Sequence, residues 1–145
     1  MTAQQLWDLF THADGPAVPF EAWAFGGAPD ELAALVLAGR KTATSSAGAL
    51  YRLKNEPFPA AGEYSAILDS KGQAVCVIRT TQVWVMPFNR VPASHAWKEG
   101  EGDRSLVHWQ TVHRAFFSDA LSRAGLLFTE DTEVVCEEFE VVFRP

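Results

Sequence analysis

Apolar positions along the chain switch between a spacing of three or four and a spacing of two, and the switches mark its elements. In MTAQQLWDLFTHAD, Leu6, Leu9 and Phe10 recur at helical spacing with Trp7 beside them, which predicts a helix over 3–12. DGPAVP then reads as a loop, and EAWAFGG is an aromatic stretch of undecided form. PDELAALVLAG is the best-marked element. Pro29 fits a first helical turn, Asp30 and Glu31 suit the positive end of the helix dipole, and Gly39 suits a left-handed cap.

The small and β-branched residues from Thr42 to Ser46 predict a strand. ALYRLKNEPFPAAG reads as loop or short helix, because Pro57 and Pro59 forbid a longer regular element. EYSAILD and QAVCVIRTTQVWVM flank Ser70-Lys71-Gly72 and predict an antiparallel hairpin whose second strand is long enough to bend round a barrel. PFNRVPASHAWKEGEGDR reads as extended and irregular. The next run is helical: Leu106, Trp109, His113, Phe116, Phe117, Ala120 and Leu121 share a face, Asp103 or Ser105 caps its start, and Gly125 ends it. TEVVCEEFEVVF alternates as a closing strand.

Strands scattered between helices, without a βαβ rhythm, predict an α+β fold around a small mixed or antiparallel barrel. No glycine-rich phosphate loop of dinucleotide-binding or nucleotide-triphosphatase type is present. The 145 residues fit one domain, 1–145, with 1–19 as an N-terminal helical extension.

Charge and cysteine use narrow the chemistry. The net charge of −6 disfavours gripping long nucleic acid, whose affinity comes from neutralised phosphates, and is compatible with a small uncharged ligand such as a nucleoside. Cys76 and Cys136 sit in apolar runs without CxxC spacing, which points to a reducing, cytoplasmic setting. His108 and His113 are five apart, not the four that puts two imidazoles on one helical face, so no metal site and no cofactor are expected. The N-terminus lacks the basic and apolar regions of a signal peptide, and no run reaches membrane-span length.

Two stretches carry candidate chemistry. In GRKTAT, Lys41 and Thr44 converge only if the chain turns between them. The bland reading makes Arg40 and Lys41 helix-end cations and the threonines strand formers. In HAWKEGEGDRSL, Glu99, Glu101 and Asp103 alternate so that all three can share one face. Asp103 has a capping job, whereas Glu99 and Glu101 have none beyond a solvated acidic loop. Trp109 and Phe116 read as core rather than as base-stacking platforms, His108 and His113 as surface or interface residues, and Trp84 as either core or stacking platform.

GRKTAT after an amphipathic helix, GEYSAILD, VCVIRTTQVWVMPF and AWKEGEGDRSLVHWQTVH together resemble the ASCH family (activating signal cointegrator homology), in its compact bacterial branch, over roughly 20–143. The resemblance implies a PUA-like β-barrel with flanking helices. Some small bacterial relatives are similar to amidohydrolases that deacylate N4-acetylcytidine. Their lysine, threonine and glutamate correspond to Lys41, Thr44 and, through the string HAxxE, Glu99. The implied reaction has Thr44 attack the acyl carbonyl, Lys41 take its proton or stabilise charge, and Glu99, with a raised pKa, protonate the leaving amine. Arg40, Tyr51, Trp97, Glu101 and Arg104 are the expected substrate-binding residues. The alternatives are a non-catalytic RNA-binding module, with a basic strip from Arg40, Lys41, Arg52, Lys54 and Arg104, or a metal-independent ribonuclease using the same lysine. The implied partner is a modified pyrimidine nucleoside or RNA, with no membrane involved.

Overall fold

The computed structural model describes residues 1–13 and 17–145. Residues 14–16, which open the expected DGPAVP loop, lie outside the described residues. Five strands, β1 (Phe20–Ala24), β2 (Ala43–Ala47), β3 (Tyr64–Leu68), β4 (Ala74–Pro87) and β5 (Glu133–Phe143), form one sheet in the order β1-β3-β4-β5-β2. β1 runs parallel to β3 and the other pairs are antiparallel, so the sheet is mixed. It curls into a half-barrel, giving the α+β, PUA-like architecture the pattern predicts. Irregular register between β4 and β5, at Val77/Ile78 and Thr80/Gln82, accompanies the bend of the long β4.

Among the described residues five helices flank the sheet: α1 (Ala3–Ala13), α2 (Pro29–Leu37), α3 (Gly48–Leu53), α4 (Ala93–Glu99) and α5 (Leu106–Arg123). α2 has Pro29 at its first position, and the chain turns away through Gly39 at φ 76°. The β3–β4 hairpin closes through Asp69, whose carboxylate accepts the Lys71 and Gln73 amide N–H groups. Ser105, not Asp103, caps α5 by accepting the His108 N–H.

Three findings differ from the sequence reading. EAWAFGG contains most of an edge strand, β1. The PFNRVPASHAWKEGEGDR segment is not extended: a 3-10 turn (Phe88–Arg90) leads into α4. Its breakers lie at the helix ends, since Pro92 is the extended N-cap residue and Gly100 the left-handed C-cap, so neither interrupts the interior. In α1, Leu6, Trp7 and Phe10 face inward and Leu9 is exposed.

Burial joins the helices to the sheet in three places. Leu6, Trp7 and Phe10 pack against Ala74 and Val77, while Ala33 and Val36 of α2 pack with Phe25 against Ile67, Cys76 and Ile78. Trp109, Phe117 and Leu121 of α5 pack with Phe88 and Val91 over Val134 and Cys136. The last cluster fixes α4 and α5 beside β2, where the polar residues gather.

Candidate functional site

Main-chain contacts bring GRKTAT and HAWKEGEGDR together. The Thr42 N–H donates to the Lys98 carbonyl at 2.7 Å, and the Arg40 guanidinium donates to the carbonyls of Gly100 (2.8 Å) and Gly102 (2.9 Å). Lys41 lies between these attachments and turns inward, 2% exposed. Its ammonium donates to Glu99 Oε1 and Glu101 Oε2, each at 3.1 Å, and lies 5.3 Å from the centre of the Phe25 ring. Gly100 permits the approach. At φ 73°, a Cβ there would stand 2.3 Å from the Arg40 carbonyl oxygen.

Glu99, at the end of α4, is 1% exposed and fully engaged. Its Oε2 accepts from Ser45 Oγ (2.5 Å) and Trp109 Nε1 (2.5 Å) and lies 3.0 Å from His95 Nε2, one helical turn earlier. His113 Nε2 stands 3.5 Å from Oε1. Burial alone pushes the Glu99 carboxyl up. The Lys41 cation and the hydrogen bonds from His113 and His95 outweigh it and hold the group well below the usual carboxylate range. This overturns the expected raised pKa, because a carboxylate so held is a poor proton donor. For His113, burial opposes the charged ring but the Glu99 carboxylate prevails, and its pKa is raised.

Lys41, Thr44 and Glu99 line one cavity of 1110 Å³ between the sheet, α2, α3 and α5. Alternation along β2 turns Thr44 to the face opposite Ser45, so the alcohol that touches Glu99 is Ser45. Thr44 is half-buried and pairs in register with Glu137 of β5, whose side chain also lines the cavity. Glu137 is 7% exposed, and its carboxylate accepts from Thr80 Oγ1 at 3.4 Å. Burial pushes its pKa up to about 7, with Glu63 and Glu21 adding to the rise against the Thr80 hydrogen bond.

Of the expected binding residues, Tyr51 and Glu101 line the cavity, and Tyr51 pairs its hydroxyl with Ser46 at 2.9 Å. Arg40, Trp97 and Arg104 do not line it. Arg40 fastens the glycine loop, while Trp97 is 57% exposed beneath the Arg104 guanidinium, 3.7 Å from its ring centre. Asp103 does not join Glu99 and Glu101, since its carboxylate accepts the Ser105 N–H in an exposed turn. Nor do the five cations form a free basic strip: Lys41 is buried against two carboxylates, and Arg52 is paired with Glu133. His113 is buried, not a surface residue, and Phe116 is exposed along the cavity wall instead of buried in the core. Trp84 is half-buried against the α5 cluster.

The sequence pattern does not single out Ser45, His95, His113 or Glu137 as site residues. The four-residue spacing of His95 and Glu99 would have signalled contact had α4 been read as a helix. Glu99, Glu101 and His113 offer ligand atoms that all lie within 4.8 Å of one another, a donor set of the kind that holds a divalent cation. The Lys41 ammonium already lies against both carboxylates, so a metal ion there would have to displace it. Cys76 and Cys136 are free thiols that burial pushes up to about 11 and about 12, too high for nucleophilic work. No helix among the described residues is long and apolar enough to cross a membrane.

A family model described as the ASCH domain matches residues 21–143. Among solved structures, the ASCH domain from Lactobacillus crispatus is 30% identical. The match covers 98% of this chain and 94% of that one, with a TM-score of 0.90. A protein from Enterococcus faecalis is 38% identical over 97% of this chain and 87% of that one, with a TM-score of 0.86. ASCH from Zymomonas mobilis, at 12% identity with 83% and 69% covered and a TM-score of 0.54, shares the fold alone. A search of curated proteins finds no match.

Proposed function

The chain belongs to the ASCH domain family, and on that premise we propose that it hydrolyses the amide bond of an N4-acylated cytidine or a similar modified pyrimidine nucleoside. One observation carries the reading: Lys41 and Thr44 line the same cavity as Glu99, which lies more than fifty residues further along the chain. At 1110 Å³ that cavity is at the upper end of small-molecule sites, with room for a base and its ribose. Glu21, Glu56, Glu63, Glu99, Glu101 and Glu137 line it against one lysine. Such a wall repels a phosphate backbone and accepts a neutral nucleoside, which favours a single modified nucleoside over an RNA strand.

Thr44, whose hydroxyl has no side-chain hydrogen-bond partner among the described residues, is the nucleophile, and its oxygen bonds to the acyl carbon. The Lys41 ammonium stabilises the oxyanion that forms there. Glu99 acts through Lys41: with Glu101 it holds the ammonium in place, and its low pKa suits that task rather than proton donation. Tyr51 and Phe116 offer aromatic surface to the base. The cytosine nitrogen leaves readily because it is conjugated with its ring, and water then releases the acyl group from Thr44.

Incubation of the purified protein with N4-acetylcytidine, with cytidine followed by chromatography, is the test. Thr44→Ala should abolish turnover while the melting temperature stays within about 2 °C, because a half-buried hydroxyl without a partner contributes little to stability. Absence of turnover by the unmodified protein, or full activity in Thr44→Ala, refutes the reading.

A further inference from the structure

The reaction above needs a group that removes a proton from the nucleophile and later returns one to the leaving nitrogen. Glu99 is held ionised by Lys41 and its hydrogen-bond donors. His113 has both ring nitrogens occupied, Nδ1 by the Trp109 carbonyl at 2.9 Å and Nε2 by Glu99. A third titratable group in the cavity is free of both restrictions. Glu137 stands directly opposite Thr44 across the β2–β5 ladder, and paired residues in an antiparallel ladder project from the same face with Cβ atoms about 5 Å apart. Among the described residues its one side-chain hydrogen bond is the long one from Thr80, and no cation pairs with it.

We infer that Glu137 is a catalytic acid–base residue of this site, serving Thr44 on one side and the departing cytosine nitrogen on the other. The inference rests on the amidohydrolase reading. As a carboxylate, Glu137 takes the Thr44 hydroxyl proton while the oxygen–carbon bond forms and the carbonyl electrons move onto the oxygen beside Lys41. As the tetrahedral adduct collapses, the carbon–nitrogen bond breaks and Glu137 returns that proton to the exocyclic nitrogen. It next takes a proton from the water that attacks the acyl group and returns it to Thr44, which closes the cycle without a co-reactant.

The surroundings suit this duty. Glu21 of β1 and Glu63 before β3 disfavour its ionised form, and Tyr51 of α3, Glu56 after it and Tyr64 of β3 also line the cavity. The Lys41, Glu99 and Glu101 cluster and His113 line the same cavity. A carboxyl group that changes charge near neutrality gives and takes protons with equal ease.

Glu137→Gln keeps shape and hydrogen-bonding capacity but cannot carry a proton, so it separates chemistry from binding. In the unmodified protein, kcat/KM for N4-acetylcytidine should rise with pH through about 7, because the reaction starts from the carboxylate. Glu137→Gln should lower kcat by about a hundredfold to ten-thousandfold and remove that limb. Its affinity for cytidine, measured by calorimetry, should stay within about threefold, roughly 0.7 kcal/mol. An active unmodified protein whose Glu137→Gln variant keeps its rate and pH profile overturns the acid–base assignment and leaves the amidohydrolase reading standing. Loss of cytidine binding together with activity also overturns it, since Glu137 would then position substrate. An unmodified protein without turnover overturns both.

Discussion

Replacing Lys41 by Met, Glu99 by Gln, and both together tests the buried network as a unit. In Lys41→Met the Glu99 carboxylate keeps Ser45, His95 and Trp109 but loses its cation at 1% exposure, and stranding a buried charge costs about 3–5 kcal/mol. In Glu99→Gln the ammonium keeps Glu101, so the electrostatic loss is smaller. The new amide NH2, however, must face either Lys41 or the Trp109 N–H. Both are donors only, and one unsatisfied buried donor costs about 1–3 kcal/mol. Each single variant should therefore lose about 3 kcal/mol, or roughly 6–12 °C in melting temperature for a chain of this size. In the double variant the conflict disappears, because the amide oxygen can accept from Trp109 while its NH2 turns to the side Lys41 vacated. A loss of about 3 kcal/mol in total, instead of the roughly 6 expected from addition, leaves a coupling of about 3 kcal/mol. Urea unfolding at about pH 7, followed by tryptophan fluorescence and far-ultraviolet circular dichroism, measures it. Singles that add within about 0.5 kcal/mol would refute the network.

Glu137→Gln should also change stability with a definite sign. The folded protein holds the Glu137 proton up to about 7 whereas the unfolded chain releases it near 4.5, so this group's stabilisation is complete below about 4.5 and is lost as pH rises through 7. Unfolding measured at about pH 8 should find Glu137→Gln more stable than the parent by up to ~3 kcal/mol, with the advantage small near pH 5. Gly100→Ala should cost about 2–4 kcal/mol in urea, since it adds both a left-handed alanine and a clash with the Arg40 carbonyl. Gly39→Ala, left-handed at φ 76° but with nothing within 4 Å of its added Cβ, should cost only about 1 kcal/mol.

Where local chemistry set an element, the residues revealed it. Pro29, Asp30 and Gly39 bound α2, and the apolar face of α5 carried its helix through Trp109, Phe117 and Leu121. α4 stayed hidden because its seven residues lie between breakers, too short for a periodic signal, and with it went the His95–Glu99 contact. β1 was missed because its parallel partner, β3, lies far along the chain and its own residues are mostly exposed. Glu137 is the subtlest omission. In VVCEEFEVV it alternates with the apolar Val135 and Phe139, so a carboxylate on an inward face was its signal, and only the curl of the sheet reveals the cavity that explains it. His113 was misplaced for the converse reason: its partner, Glu99, belongs to another helix. Lys41 and Thr44 are legible as residues, but the Arg40 and Thr42 attachments that bring the first of them to Glu99 end on main-chain carbonyls, which side-chain patterns do not record.

Those attachments have a consequence for how the site can change. Because Arg40 and Thr42 clamp main-chain oxygens on both sides of position 41, the two loops stay docked whichever side chains occupy 41 and 99. The scaffold is thus a socket whose fittings are interchangeable. A library varying only those two positions, screened on other acylated amines, would sample new reactivities on an unaltered backbone.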